Sequence, residues 1–254
     1  MRREWSSLRR GAPRTPGGRL VRRRVGFYRA LLGLIAVMFA GEITMHFTGS
    51  TWSRWIIAAI ALAATGLALG AGLTPDDLGL SRSSLRRGAG WAGVIVVVVV
   101  LVIAVGLAVP PIRELFRNEA YSSLPWAVLS ALVLIPLQTV VPEELLFRGI
   151  LLGALARRHR AWVAVLVQAL LFGLWHIVSS TGLAAGNPGI GNTVGDGTAG
   201  VLLGVLGAVV FTTVAGALFG WLRMRTGSLL PSIAMHWAAN GAGAIAAALA
   251  WQLS

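Results

Sequence analysis

The sequence predicts an all-α, polytopic integral membrane protein: a helical bundle of about seven transmembrane helices with its active site inside the bundle. Hydrophobic residues make up 56% of the 254 residues, and the mean hydropathy is +0.75. This composition is far more apolar than that of an ordinary soluble domain. Several apolar runs also reach the 18 or more residues that a helix needs to cross a bilayer.

The apolar runs give the positions of the seven spans. We expect the spans at about 27–47, 55–73, 90–109, 124–158, 162–178, 201–222 and 229–251. The fourth would be about 50 Å long at 1.5 Å per residue, against roughly 30 Å of hydrocarbon. It is therefore expected to tilt, to protrude, or to break at Pro136 or Pro142. The glycine-rich loop 179–200 is a candidate gate for substrate access.

Charge is concentrated before and between the spans, and gives a formal net charge of +13. Residues 1–25 are predicted to be a disordered, basic cytoplasmic tail, and residues 26–254 the transmembrane domain. The positive-inside rule then places the N-terminus in the cytoplasm and the protein in the cell membrane. Anionic lipid headgroups explain the arginines better than nucleic acid does. The chain has no cysteine, which excludes thiolate metal ligands, thiol nucleophiles and disulfides.

Two adjacent carboxylates and an arginine lie in the middle of the fourth span, where each ionisable group costs roughly 2.5–3.5 kcal/mol. Glu144 and Arg148 are four residues apart, so they share a helix face and can neutralise each other. Glu143 points about 100° away, where the arginine reaches it less easily. A desolvated carboxylate without a close cation can act as a general base. On this stretch alone, a Glu–Arg pair that only fixes helix packing remains an equal alternative.

The other acidic residues are predicted to lie in the tail, in loops or near the end of a span. Glu42 and His46 fall near the far end of the first span, and we interpret both as interfacial residues. Glu143 and Glu144 are thus the two carboxylates expected deep inside the bundle.

Three further polar residues fall inside later spans. His176 lies in the fifth span, and His236 and Asn240 lie four apart on one face of the seventh. Counted from the basic end of each helix, Glu143, His176 and Asn240 lie roughly 20 Å deep. His236 lies roughly 13 Å deep, so the whole set can share one layer. Such a set can activate a water molecule and stabilise an oxyanion, or bind a metal through two histidines and a carboxylate. Packing and interhelical hydrogen bonds are the alternative for each residue alone.

Three motifs follow one another on successive hydrophobic helices. They are Glu-Glu-x-x-x-Arg from Glu143, Phe-x-x-x-His from Phe172, and His-x-x-x-Asn from His236. The ordered set resembles the CPBP family of intramembrane proteases, which contains the type II CAAX prenyl endoproteases and their bacterial relatives. The resemblance covers a protease core of about 125–245.

The resemblance implies a role for each motif residue. Glu143 would be the general base, and His176 would hold or polarise the attacking water. His236 and Asn240 would stabilise the tetrahedral oxyanion. The residues implied to support this set are Glu144, Arg148 and Phe172.

Members of this family are commonly labelled metalloproteases. The resemblance therefore also implies a divalent metal such as zinc, held by Glu143, His176 and His236. A metal-free mechanism, in which the glutamate and the histidines activate the water themselves, is an equal alternative.

Together, these observations predict an intramembrane endopeptidase, a hydrolase whose substrate is a peptide or protein that is lipidated or otherwise associated with the membrane. Two other classes stay open. One is a proton-coupled transporter that uses Glu143 and the histidines as a relay. The other is a catalytically silent membrane scaffold in which the polar residues are packing pairs. The inverted repeats or paired broken helices expected of a transporter are not evident in the sequence.

Overall fold

The structure is a computed structural model that describes residues 16–195 and 197–253. Within these ranges the chain forms helices and turns and no strand, which confirms the all-α prediction. In chain order, the α-helices are α1 (Pro16–Thr48), α2 (Ile56–Gly70), α3 (Pro75–Leu78), α4 (Arg82–Ala108), α5 (Pro110–Arg113), α6 (Leu124–Leu129), α7 (Val141–Glu144), α8 (Leu152–Ala156), α9 (Ala161–Trp175), α10 (Leu183–Gly186), α11 (Pro188–Val194), α12 (Thr198–Thr226), α13 (Leu230–Trp237) and α14 (Gly243–Gln252). Short 3₁₀ helices lie at Ser53–Trp55, Glu114–Phe116 and Glu119–Tyr121.

The chain forms two compact units, Met1–Val37 and Met38–Ser254. The predicted tail of residues 1–25 falls in the first. Residues 1–15 lie outside the described residues, so the tail prediction is not tested there. Residues 16–25 are helical, because α1 begins at Pro16, before the predicted boundary. The packing and the site described below belong to the second unit.

Six helices in the described part of the chain are long and apolar enough to cross a membrane. They are Val25–Thr48, Ser53–Gly70, Pro75–Ala108, Leu124–Ala156, Thr198–Thr226 and Leu230–Gln252. The fifth predicted span is shorter than expected, since the apolar helix α9 has 15 residues. At 1.5 Å per residue it extends about 22 Å, less than the hydrocarbon thickness of a bilayer. The chain continues from α9 as turns rather than as helix.

The fourth predicted span is one long helix, Leu124–Ala156, which we call the central helix. Pro136 and Pro142 do not break it. The helix widens into π-helical turns at Ser130–Val140 and Leu145–Leu151, which flank the α-helical turn Val141–Glu144. Proline has no amide hydrogen to donate within a helix, and a wider turn is one way to accommodate it. The adjacent carboxylates therefore sit on a regular turn between two irregular ones.

Helices α9 and α12 pack along each other through small residues. A methyl group added to Gly173 of α9 would lie 2.8 Å from the Val209 carbonyl oxygen and would also collide with the Thr213 hydroxyl. On α12, a methyl group added to Gly216 would lie 3.1 Å from the Phe172 ring. Small residues at these positions let the two helix backbones approach closely, as is common in membrane bundles. This contact fixes the end of α9, where Phe172 and His176 lie.

A polar turn after α2 ties the basic ends of the long helices together. Asp77 pairs with Arg157, which directly follows the central helix. Arg223 of α12 donates a hydrogen bond of 2.8 Å to the Asp77 carbonyl. The Leu229 amide donates to the Gly79 carbonyl at 3.0 Å, and Gly79 has a φ of 71°, which glycine adopts without strain. These bonds set the depth of the central helix relative to α12 and α13.

The close approach of α9 and α12 predicts that Gly173→Ala destabilises the fold. Overpacking of this kind typically costs about 1–3 kcal/mol, so the thermal unfolding midpoint of the purified protein in detergent should fall. The matched control is Gly207→Ala on α12, because no atom lies within 4 Å of the added methyl group there. Equal midpoints for the two variants would contradict the close packing of α9 on α12.

Candidate active site

The site is built around a fully buried ion pair on the central helix. Arg148 Nη1 lies 3.1 Å from Glu144 Oε1, and neither side chain is exposed to any extent (0%). The four-residue spacing in the sequence predicted this pair. The guanidinium also lies over the ring of Phe172, 3.9 Å from the ring centre, and over that of Phe219 at 4.9 Å. The Glu144 carboxylate and the two aromatic rings together stabilise the buried positive charge of Arg148.

His236 of α13 joins this pair from across the bundle. Its Nδ1 lies 3.0 Å from Glu144 Oε1, and its ring stacks on Phe219 with ring centres 5.3 Å apart. An ionised carboxylate only accepts hydrogen bonds, so Nδ1 carries the hydrogen. Nε2 is then free to act as an acceptor in the neutral ring, or as a donor in the protonated ring. Glu144 therefore fixes both the orientation of His236 and the nitrogen that it presents to the site.

Glu143 is the carboxylate that has no close cation. Its side chain is buried at 7% exposure, and Oε2 has no hydrogen-bond partner among the residues that the structure describes. His236 approaches it from α13, with Nε2 3.9 Å from Oε2. The two adjacent glutamates thus have different environments, as the helical geometry predicted. Glu144 is held by Arg148 and His236, and Glu143 is available for chemistry.

His176 approaches from the end of α9. Its Nδ1 lies 2.7 Å from the Phe172 carbonyl oxygen, which can only accept, so Nδ1 donates and Nε2 is left free. The Phe172 ring contacts His176 edge-on at 4.7 Å and His236 at 5.9 Å. Phe172 therefore touches both histidines as well as the Arg148 guanidinium, which accounts for its place in the motif.

Asn240 lies apart from the other predicted residues. It is exposed, it belongs to a π-helical segment at Ala238–Ala242, and its side-chain amide makes no hydrogen bond with the described part of the chain. It lines a cavity of about 370 Å³ together with Thr139, which precedes Glu143 by one turn of the central helix. The cavity thus opens one helical turn away from the buried carboxylates.

Glu42 is a residue of the site that the sequence interpretation missed. The expected interfacial position is wrong, since Glu42 is 3% exposed and lies inside the bundle. It interacts electrostatically with Glu143, and its carboxylate is within hydrogen-bonding reach of the Ser179 hydroxyl. Phe39, one turn earlier, packs edge-on against Trp175 at 5.7 Å, which seats this part of α1 beside the end of α9. The sequence contained a signal for this role, because an acidic residue inside a predicted span is expected to be functional by default.

The predicted metal ligands are Glu143, His176 and His236. Glu143 and His236 come within 3.9 Å of each other. However, no three His, Asp, Glu or Cys side chains in residues 16–195 and 197–253 are grouped so as to hold one ion. Glu143, His176 and His236 therefore do not fit a three-ligand site in this arrangement. Whether the protein binds zinc stays an untested prediction.

In the comparison with known protein families, the family model described as Type II CAAX prenyl endopeptidase Rce1-like matches residues 123–242. This segment is therefore similar to an Rce1-like domain. It contains all three motifs and confirms the resemblance to the CPBP family. The comparison with curated proteins gave no match, and neither did the comparison with solved structures. Glu42 lies outside the Rce1-like domain.

The burial of Glu42 predicts a conflict between stability and function at this position. A buried carboxylate without a cationic partner costs free energy, so Glu42→Met should raise the free energy of unfolding by about 1–3 kcal/mol. Glu119→Met, at an exposed position, should change it by less than about 0.5 kcal/mol. The unfolding midpoints of the two variants in detergent, compared with that of the wild type, measure both changes in stability. A lower midpoint for Glu42→Met than for the wild type would show that Glu42 stabilises the fold.

Proposed function

We propose that the chain is an intramembrane endopeptidase in which Glu143 activates a water molecule for the hydrolysis of a peptide bond. The observation that carries this proposal is the difference between the two adjacent glutamates. Glu144 is neutralised by Arg148 at 3.1 Å and bonded to His236 at 3.0 Å, whereas in the described part of the chain no arginine lies within 4 Å of Glu143, whose Oε2 is 3.9 Å from His236 Nε2. A general base needs a carboxylate that is not neutralised by a close cation, and Glu143 meets this condition better than Glu144.

The proposed reaction uses the free nitrogens of the two histidines. A water molecule donates one hydrogen to Glu143 and the other to His176 Nε2, because both atoms can accept. As the water oxygen bonds to the carbonyl carbon of the substrate, its proton moves to Glu143. When the carbon–nitrogen bond breaks, Glu143 passes that proton to the leaving amine.

The oxyanion in this scheme is stabilised from the final helix, Leu230–Gln252. His236 in its protonated form donates from Nε2, while its Nδ1 hydrogen remains on Glu144. Nε2 and Glu143 Oε2 lie 3.9 Å apart, so the donor and the base can both face one carbonyl group. Asn240 follows His236 by one turn, and its amide has no partner in the described part of the chain, so it can supply a second donor.

We further propose that the protein is oriented in the cell membrane with its N-terminus in the cytoplasm. The turn that ties Asp77 to Arg157 and Arg223 lies at one end of the bundle, where basic residues follow the ends of the long helices, and the positive-inside rule assigns such an end to the cytoplasm. The substrate would be a membrane-associated peptide or protein, since the catalytic residues lie between apolar helices. The remaining exposed arginines of that end suit anionic lipid headgroups.

Glu143→Gln should abolish most of the cleavage without unfolding the protein. Removal of a general base costs typically 10²–10⁴-fold in rate, whereas glutamine keeps the shape of the side chain. The measurement is cleavage of a fluorogenic lipidated peptide library by the purified protein, with the unfolding midpoint recorded on the same preparation. Glu119→Gln is the matched control, because it removes an exposed carboxylate.

A chelator arm in the same experiment distinguishes the two catalytic types. Activity that resists the chelator supports water activation by the glutamate and the histidines alone. Activity that is lost and then restored by zinc supports a metal at the site. Wild-type rates in Glu143→Gln would overturn the proposed role of Glu143 in either case.

A further inference from the structure

Two segments of the chain meet across the wall of the cavity beside Asn240. One is α11 with the residue before it, residues 187–194, which we call the lid. The other is residues 110–121, which lie between α4 and the central helix and which we call the rim. Asn187 of the lid and Leu115 of the rim both line the cavity. Leu115 is also 47% exposed, so the junction of lid and rim lies between the cavity and the surface of the bundle.

One buried side chain bonds the lid to the rim. Asn187 Nδ2 donates to the Leu115 carbonyl oxygen at 3.1 Å. Asn187 Oδ1 accepts from the Ile190 amide at 3.0 Å and so caps the start of α11. The structure describes all residues of both segments, and no other hydrogen bond or ion pair joins them. The closed position of the lid therefore depends strongly on Asn187.

The backbones of the lid and the rim also touch. Gly189 is buried, and a methyl group added to it would lie 2.9 Å from Leu115 Cα and would collide with the Glu114 carbonyl. The lack of a side chain at Gly189 thus lets α11 lie directly against the rim. The contact closes the junction sterically but adds no hydrogen bond.

The rim is held more firmly than the lid. Arg113 donates to the Leu253 carbonyl at 2.8 Å, and the Trp251 indole donates to the Asn118 carbonyl at 3.2 Å. Arg117 also lies over the Trp251 ring, 5.2 Å from its centre. These contacts fix the rim to the end of α14. We therefore expect the junction to open by movement of the lid.

Glycines flank the lid on both sides. Gly186 ends α10, and Gly197 directly precedes α12 with a φ of 91°, which glycine adopts without strain. A methyl group added at either position would meet no atom within 4 Å. Such open positions can change their backbone torsions without displacing neighbouring side chains, as hinge residues do.

We propose that residues 187–194 are a lid that parts from the rim to admit a peptide to the cavity beside Asn240, and that Asn187 holds the lid closed. The inference rests on the proposed peptidase function, whose site the cavity adjoins through Asn240 and Thr139. A closed lid keeps bulk water away from the buried carboxylates between turnovers. The sequence indicated a gate within 179–200 by its glycines alone, and the structure adds the bond that would hold it shut.

The test measures access to the cavity rather than cleavage. The chain has no cysteine, so a single cysteine introduced at Ala244 reports on the cavity that this residue lines. Ala244 is 2% exposed, and its modification therefore requires an opening of the structure. The full-length protein in nanodiscs is treated with a small charged methanethiosulfonate reagent, and the rate of thiol modification is followed by mass spectrometry.

Asn187→Asp should raise the rate of modification at Ala244→Cys by about 5- to 30-fold, because it removes the bond that opposes opening. Aspartate still accepts from the Ile190 amide and keeps the cap, but an ionised carboxylate has no hydrogen to donate to the Leu115 carbonyl. The matched control is Asn192→Asp, an identical change at an exposed position of α11. It should leave the rate unchanged.

A second variant tests the junction independently of Asn187. Gly189→Ala should also accelerate the modification at Ala244→Cys, since its methyl group collides with the rim. Gly186→Ala meets no atom within 4 Å and should not. A separate reporter cysteine at Ala61 of α2, which is 1% exposed and lies outside the cavity, detects any general loosening. Its rate should stay the same in every variant.

Equal rates at Ala244→Cys with and without Asn187→Asp, or no modification in either protein, would overturn the proposal. Equal increases at Ala244→Cys and Ala61→Cys would also overturn it, since the whole bundle would then have loosened. Cleavage is measured separately on protein without a reporter cysteine. Faster modification in a protein that cleaves nothing would support the lid and reject the peptidase. Cleavage with unchanged modification would support the peptidase and reject the lid.

Discussion

The buried ion pair of Glu144 and Arg148 is the interaction on which the rest of the site depends. Two charges without solvent exposure cost several kcal/mol each to desolvate, and are retained only when their geometry compensates for that cost. Here the compensation comes from the pair itself, from His236 on the carboxylate and from the Phe172 and Phe219 rings on the guanidinium. Four helices, the central helix, α9, α12 and α13, are thereby connected at one point inside the bundle.

The same pair divides the roles of two adjacent carboxylates. Arg148 neutralises Glu144, which then holds His236 by Nδ1 and turns Nε2 toward Glu143. Glu143, one position earlier on the helix, has no arginine within 4 Å among the residues that the structure describes. The regular turn that carries both glutamates lies between two π-helical segments, and such irregular turns are frequent at functional sites. A structural ion pair and a chemical site can therefore occupy one turn of helix.

Much of the fold and part of the site could be predicted from the sequence, because helical spacing and hydropathy act locally. The Glu144–Arg148 pair and the divergence of Glu143 follow from 3.6 residues per turn. The contact between His236 and Glu144 could not be predicted, since it depends on how α13 meets the central helix. The shortness of α9 was missed because the apolar run continues past Trp175, where the chain forms turns instead.

Glu42 shows a different limit of the sequence. It lies near the predicted end of a span, where a charged residue is ordinarily interfacial. Only the packing of α1 against Trp175 reveals that Glu42 is buried. The depth of a residue along its own helix gives only an approximate position in the bundle. Tertiary packing decides which side chains come into contact.

A double-mutant cycle on Glu144 and Arg148 tests the central claim most directly. The free energies of unfolding of Glu144→Gln, Arg148→Met and the double variant would be measured in detergent against the wild type. Breaking a buried pair by removing one partner costs about 3–5 kcal/mol. The free energy of unfolding should therefore fall by that amount in each single variant, and by much less than the sum of the two in the double variant. Losses that add within about 0.5 kcal/mol would mean that the two residues are not coupled. The ion pair would then not be the interaction that organises the site.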